Sequence, residues 1–143
     1  MGVRLKLMIR GRGLVEGVGE GLILVTKDPI SFYGGVDPET GEVIERGHEL
    51  YGETIAGKIL FFPYGKGSTV GSYVLLRLAR RGKAPAGIVN LSSEPIVVIG
   101  CMLGDIPLMD NPSIDLITAK DEILGREGRI RVRSGVGILE AFE

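Results

Sequence analysis

The residue of this chain best placed to do chemistry is a serine in a short glycine-framed stretch. Gly65-Lys66-Gly67-Ser68-Thr69 lies between an apolar run, Ile59 to Phe62, that reads as a buried strand and a segment, Val70 to Arg80, that reads as a helix. Such a strand carries the loop to a sheet edge, and the two glycines keep side chains clear. The Ser68 hydroxyl then falls where the unpaired N–H groups of a helix start point outward. That setting suits an anionic ligand and steadies negative charge developing on oxygen. The residues by themselves leave two roles open for Ser68 and Thr69, a helix N-cap or a working side chain. Lys66 is either a cation of the site or the exposed half of a surface ion pair.

Known glycine loops do not explain this stretch. A Walker loop follows its lysine with Ser or Thr, whereas Lys66 is followed by Gly67. The dinucleotide fingerprint needs a third glycine three residues after Gly67, where Val70 stands, with Gly71 one step late.

Other candidates are fewer. Gly34-Gly35-Val36-Asp37 precedes Pro38-Glu39-Thr40-Gly41, a turn-forming run. Paired glycines there either admit a ligand close to the backbone or form a bulge before a hairpin, and Asp37 can cap its own turn. His48 is the single histidine; its place in a charged stretch between Glu45 and Glu53 reads as a surface residue rather than a general base. Cys101 is the single cysteine, inside the apolar run Ile96 to Leu103, and reads as a buried inert thiol. One Cys and one His hold neither a zinc site nor an iron–sulfur cluster on this chain alone.

Composition narrows the class. With 143 residues, 44% of them hydrophobic and a formal net charge of −1, the chain reads as one soluble α/β domain, residues 1–143. Near-neutral charge with Lys and Arg scattered among acids argues against nucleic-acid binding. The cluster Arg77, Arg80, Arg81 and Lys83 reads as charge complementing a helix C-terminus. No apolar run reaches the ~20 residues of a membrane span, no targeting segment is visible, and the cytoplasm is the default location.

The elements that must position Ser68 follow from periodicity. Val3 to Ile9 alternates as a strand, and Gly11, Gly13, Gly17, Gly19 and Gly21 read as a loop before a strand at Leu22 to Thr26. Strand Lys58 to Phe62, helix Val70 to Arg80 closed by Gly82, and strand Gly87 to Asn90 form a parallel βαβ centre. Ile96 to Leu103 reads as a crossover helix before a strand at Ile106 to Met109. Beyond Pro112 the pattern returns to strands, with Arg129 to Arg133 and Val136 to Phe142 paired through a turn at Ser134-Gly135.

Four segments extend the reading: Ser31-Phe32-Tyr33-Gly34-Gly35-Val36-Asp37-Pro38-Glu39-Thr40-Gly41, Phe62-Pro63-Tyr64-Gly65-Lys66-Gly67-Ser68, Asn90-Leu91 and Gly104-Asp105-Ile106-Pro107. Together they resemble the small subunit of the aconitase X family, in particular its archaeal two-chain branch. The resemblance implies a swivelling β/β/α domain with flanking antiparallel strands, closing over a large subunit that carries a 4Fe-4S cluster. It implies a hydro-lyase that removes water from a small phosphorylated substrate, (R)-5-phosphomevalonate, to give trans-anhydromevalonate 5-phosphate in archaeal isoprenoid synthesis. Ser68 matches the family's active-site serine and would take the proton. Gly34, Gly35, Val36 and Asp37 match a second substrate-facing loop, and Lys66, Gly67 and Thr69 lie beside the serine. Ordinary aconitases follow their serine with a carboxylate-binding arginine; Thr69-Val70 stand here, which speaks against a di- or tricarboxylate substrate. A hydroxyproline dehydratase of the same family, and a noncatalytic phosphate-binding regulatory module, are the alternatives.

A serine base makes an energetic demand. Turning a hydroxyl as weakly acidic as water into a base near neutral pH requires roughly 10 kcal/mol of differential stabilisation. One oxyanion donor contributes about 3–4 kcal/mol, so loop N–H groups, a cation and exclusion of water must act together.

Overall fold

The structure, a computed structural model, describes residues 4–143. Its strands are β1 (Leu5–Val15), β2 (Gly17–Val25), β3 (Ile59–Phe61), β4 (Gly87–Val89), β5 (Leu108–Asp110), β6 (Glu127–Arg133) and β7 (Val136–Phe142). They close a barrel in the order β1-β5-β4-β3-β2-β6-β7. The run β2, β3, β4, β5 is parallel, and β1, β6 and β7 complete the circle with antiparallel pairs. A parallel α/β centre flanked by antiparallel strands is therefore the observed fold class.

The central strands are short and wholly apolar because both their faces are covered. In β3, Leu60 joins Val74, Leu75, Leu78, Val97 and Cys101 in an outer core beneath the helices. Its neighbours Ile59 and Phe61 point into the barrel with Ile23, Val89, Met109 and Ile130. Side chains alternate across a strand, so one three-residue run serves both cores.

Two helices cross between parallel strands: α2 (Gly71–Arg80) from β3 to β4 and α3 (Pro95–Gly104) from β4 to β5. In α2, Val74, Leu75 and Leu78 are buried at helical spacing, and the chain leaves through Gly82 at φ +70°. In α3, Pro95 opens the first turn and Asp105, in the left-handed conformation at φ 54°, ends it. Ile96 to Leu103 is thus the helix its position suggested. A short turn, α1 (Phe32–Gly35), is broken at Tyr33 and Gly34. A further turn, α4 (Lys120–Ile123), interrupts the region past Pro112 that the pattern gave to strands alone. Its Ile123 and the nearby Leu116 fill the barrel interior.

The expected first strand, Val3 to Ile9, starts at a residue outside the described ones; the observed β1 covers Leu5–Val15 and so runs past Ile9. The glycine series behind it is not a loop. A Cβ on Gly19 would lie 1.9 Å from the Ala86 carbonyl oxygen, and one on Gly21 would lie 2.1 Å from that of Gly57. These glycines are strand residues over which neighbouring backbone passes directly, the close approach that a closed barrel requires. The β6–β7 turn is as expected, with Ser134 and Gly135 both at positive φ.

Candidate active site

Parallel strands send their carboxyl ends to one side, and the segments leaving β2, β3 and β4 meet there. After β2 comes the Ile30–Val36 segment, after β3 the Ser68 loop, and after β4 the Asn90–Glu94 turn leading into α3.

The serine loop is fixed from both flanks. Ile30 N–H donates to the Tyr64 carbonyl at 3.3 Å, and Lys66 N–H donates to the Ile30 carbonyl at 2.9 Å. The Phe32 and Phe62 rings meet edge to face, 5.6 Å between centroids. From the β4 side, Asn90 Nδ2 donates to the Phe62 carbonyl at 2.8 Å, and Leu91 N–H donates to that of Pro63 at 3.0 Å. Asn90 is completely buried, and its Oδ1 accepts from the Ser93 hydroxyl at 2.7 Å.

Ser68 lies at the exposed crest of this loop. Its Oγ accepts the Val70 N–H at 3.1 Å, so the hydroxyl makes a local turn three residues before the helix rather than capping α2 itself. The helix start is less open than the sequence suggests. The N–H groups of Gly71, Ser72 and Tyr73 go to the carbonyls of Ser68, Thr69 and Val70. Among the described residues, the N–H groups of Gly67, Ser68 and Thr69 make no hydrogen bond. Gly67 is at φ +89°, and a Cβ there would lie 2.5 Å from Ser31 Oγ, so any larger residue meets a strained backbone and must displace the Ser31 hydroxyl.

The second predicted loop stands beside the first. Gly34, at φ +86°, is exposed with open space where a Cβ would be. Gly35 is buried, close to the Glu45 carboxylate, whose Oε2 lies 3.2 Å from Lys66 Nζ. Val36 is buried in the outer core, and its backbone bridges to Val43. Asp37 Oδ1 accepts the Glu39 N–H at 2.8 Å and caps its own turn. The structure thus leaves Gly34, Lys66 and the Gly67–Thr69 backbone facing outward and commits Val36 and Asp37 to packing and turn formation.

Apolar side chains rim the serine loop. Thr69, Val70, Tyr73, Ile96 and Ile99 line a hollow of about 270 Å³, and a second of like size shares Val70 and Tyr73 but opens toward Tyr33 and Gly34. A hollow of about 550 Å³ on β2, β6 and β7 contains none of the predicted residues.

His48 is a correction. It is buried rather than on the surface, with Nε2 3.0 Å from the Pro29 carbonyl and Nδ1 accepting the Leu50 N–H at 3.0 Å. Both ring nitrogens are occupied in shaping the 45–53 loop, and sequence context could not show that because the neighbours are charged while the ring turns inward. Cys101 is fully buried, and burial pushes its thiol pKa far up. Sequence reasoning passed over Ser31, Glu45 and Glu94 as site residues; the one local signal was Glu94-Pro95, an acid and a proline at a helix start.

The Aconitase X swivel domain family matches residues 8–141. The chain belongs to the aconitase X swivel-domain family. This swivel domain is 44% identical to the phosphomevalonate dehydratase small subunit of Methanococcoides burtonii over 137 residues, 96% of this chain and 97% of that one. It is 56% identical to the protein of the same name from Methanothrix thermoacetophila over 105 residues, 73% of this chain and 77% of that one. The crystal structure of Thermococcus kodakaraensis aconitase X in its holo-form superposes with a TM-score of 0.87 at 43% identity, covering 96% of this swivel domain and all of the matched chain.

Proposed function

We propose that this chain is the small subunit of a phosphomevalonate dehydratase, a hydro-lyase that removes water from (R)-5-phosphomevalonate. The observation behind this reading is the Ser68 crest: an exposed hydroxyl, three neighbouring N–H groups without partners among the described residues, and Lys66 alongside. The names of the relatives, one of them matched over 97% of its length, support the substrate and the two-chain assembly.

In this reading Ser68 Oγ takes a proton from the carbon next to the one that loses hydroxide, and the products are an alkene and water. The Val70 N–H already donates to Oγ and favours its deprotonated form, while the N–H groups of Gly67 to Thr69 hold phosphate or a developing oxyanion. Of these donors only the Val70 N–H acts on Oγ itself, about 3–4 kcal/mol of the roughly 10 required, so the serine becomes a competent base only when a partner covers the crest and excludes water.

The chain's own residues do not fit an iron–sulfur cluster. Cys101 is buried under α3, and among the described residues no group of three His, Cys, Asp or Glu side chains is placed to hold a metal ion. The 4Fe-4S cluster of this reading therefore belongs to the large subunit. When bound there it supplies a Lewis acid.

Co-expression with a cysteine-bearing larger chain, followed by dehydration assays on phosphomevalonate and on hydroxyproline, tests the proposal. Turnover of hydroxyproline alone, or full activity of Ser68→Ala in the assembled enzyme, would refute it.

A further inference from the structure

Glu94 ends the β4–α3 turn at the same edge as the serine loop, and it meets that loop at its first residue. A Cβ on Gly65 would lie 2.8 Å from Glu94 Oε1 and 2.7 Å from Val97 Cγ2, so the carboxyl and the first turn of α3 close over the Gly65 backbone. The far end of the loop rests on the same turn. Ser72 Oγ donates to the Ile96 carbonyl at 2.8 Å, and a Cβ on Gly71 would be 3.2 Å from Ile96 Cγ2. Residues 94–97 thus form a common floor beneath both ends of the segment that carries Ser68.

Glu94 has no conventional structural use that explains it. Its Oε1 is shut off from solvent and accepts no hydrogen bond from the described residues, and its side chain does not cap α3. A buried carboxylate oxygen without a partner is costly, and the residue is the wrong choice if only bulk were needed. Burial raises the carboxyl pKa above its ordinary value, and the nearby Gly65 N–H, outside hydrogen-bond geometry, opposes this only in part. The carboxyl is compact at this place and set directly against the Gly65 backbone.

We propose that Glu94 is a positioning residue for Ser68, fixing through Gly65 the start of the loop whose crest presents the hydroxyl. The inference rests on the dehydratase reading above. Its effect is on orientation: the glycines at 65 and 67 leave the loop few side-chain contacts of its own, so its path is imposed by what it lies against. A shift of about 1 Å in a reacting group costs about 100-fold in rate.

The test uses the assembled two-chain enzyme, with rates normalised to the amount of assembled complex. Glu94→Ala should lower kcat about 10- to 100-fold with KM for phosphomevalonate within about twofold, and Glu94→Gln should recover most of the loss. Gly65→Ala should reproduce the kcat defect, because its Cβ overlaps the carboxyl. Wild-type kcat in both Glu94→Ala and Gly65→Ala, while Ser68→Ala is inactive, overturns this inference and leaves the dehydratase reading standing. A loss in Glu94→Ala that Glu94→Gln does not recover also overturns it, since a proton rather than a position would then be at stake. Full activity of Ser68→Ala brings down the dehydratase reading itself. If Glu94→Ala does not assemble, wild-type kcat in Gly65→Ala overturns the inference by itself.

Discussion

Lys66 Nζ lies 3.2 Å from Glu45 Oε2, and Glu45 also packs against Gly35, so one ion pair ties the serine loop to the paired-glycine loop. Both side chains are partly exposed, at 45% and 33%, and such a pair contributes only about 0.2–1 kcal/mol. Lys66→Ala should therefore leave thermal stability nearly unchanged. If the ammonium turns to the substrate phosphate in the assembled enzyme, the same substitution should raise KM for phosphomevalonate at least about tenfold, the loss of one charged hydrogen bond. Glu45→Ala should leave KM near the wild-type value. Steady-state kinetics and melting curves on the two variants separate these effects.

Ser68→Ala should lower kcat about 10²- to 10⁴-fold, the usual contribution of general base catalysis, with assembly intact. The structural cost is small. The substitution removes one 3.1 Å hydrogen bond from the Val70 N–H at an exposed crest, where water replaces the lost partner. Single-turnover rates of the assembled complex, set beside gel filtration of the same sample, show both halves of the expectation.

Asn90 holds the loop from below. Replacing it by leucine keeps the branched shape but removes the bond to the Phe62 carbonyl and the acceptor for the Ser93 hydroxyl, in a completely buried position. Leaving one buried carbonyl unpaired, with the half-buried Ser93 hydroxyl free to turn to water, should cost about 1–3 kcal/mol, or roughly 3–9 °C in Tm by calorimetry.

The fold and the loop were largely legible in the sequence, and the reasons are specific. Ile59–Phe61, Gly87–Val89 and the spacing of Val74, Leu75 and Leu78 declare a parallel βαβ centre because burial on both strand faces demands continuous apolar residues. Ser134-Gly135 announces its hairpin through the positive φ that glycine tolerates. The parts that were not legible depend on closure. Gly11 to Gly21 looks like a loop until β1 and β2 are wrapped into the barrel, where a side chain at Gly19 or Gly21 would strike neighbouring backbone. His48 and Glu94 take their surroundings from segments distant in sequence, Pro29 and Gly65, and nothing local announces those partners.

Acid should loosen the 45–53 loop through Glu49. Burial works against ionisation there, but hydrogen bonds from Lys120, Thr26 and the Lys27 N–H outweigh it and lower the pKa from 4.5 to about 2. A folded-state pKa below the unfolded one stabilises the fold fully above about pH 4.5, and that contribution fades as pH falls toward 2. Asp28 and Asp110, also lowered, act in the same direction and persist when Glu49 is changed. Glu49→Gln should thus cost about 1–2 kcal/mol at neutral pH and narrow its gap to wild type between about pH 4.5 and 2. Urea titrations across that range measure the gap directly.

The barrel's glycines make the sharpest stability contrast. Gly19→Ala would set a methyl group 1.9 Å from the Ala86 carbonyl oxygen, where backbone rather than a flexible side chain must yield. Separating β2 from the β4 edge to admit it should cost about 3 kcal/mol or more. Gly52 is also constrained, at φ +84°, but a Cβ there meets nothing within 4 Å. Gly52→Ala therefore carries only the strain of the left-handed backbone, about 1–2 kcal/mol. If the glycines were ordinary loop punctuation, the order would reverse, because alanine is tolerated in an unconstrained loop and strained at positive φ. Chemical denaturation of the two variants side by side decides between a closed barrel and a glycine loop at residues 11–21.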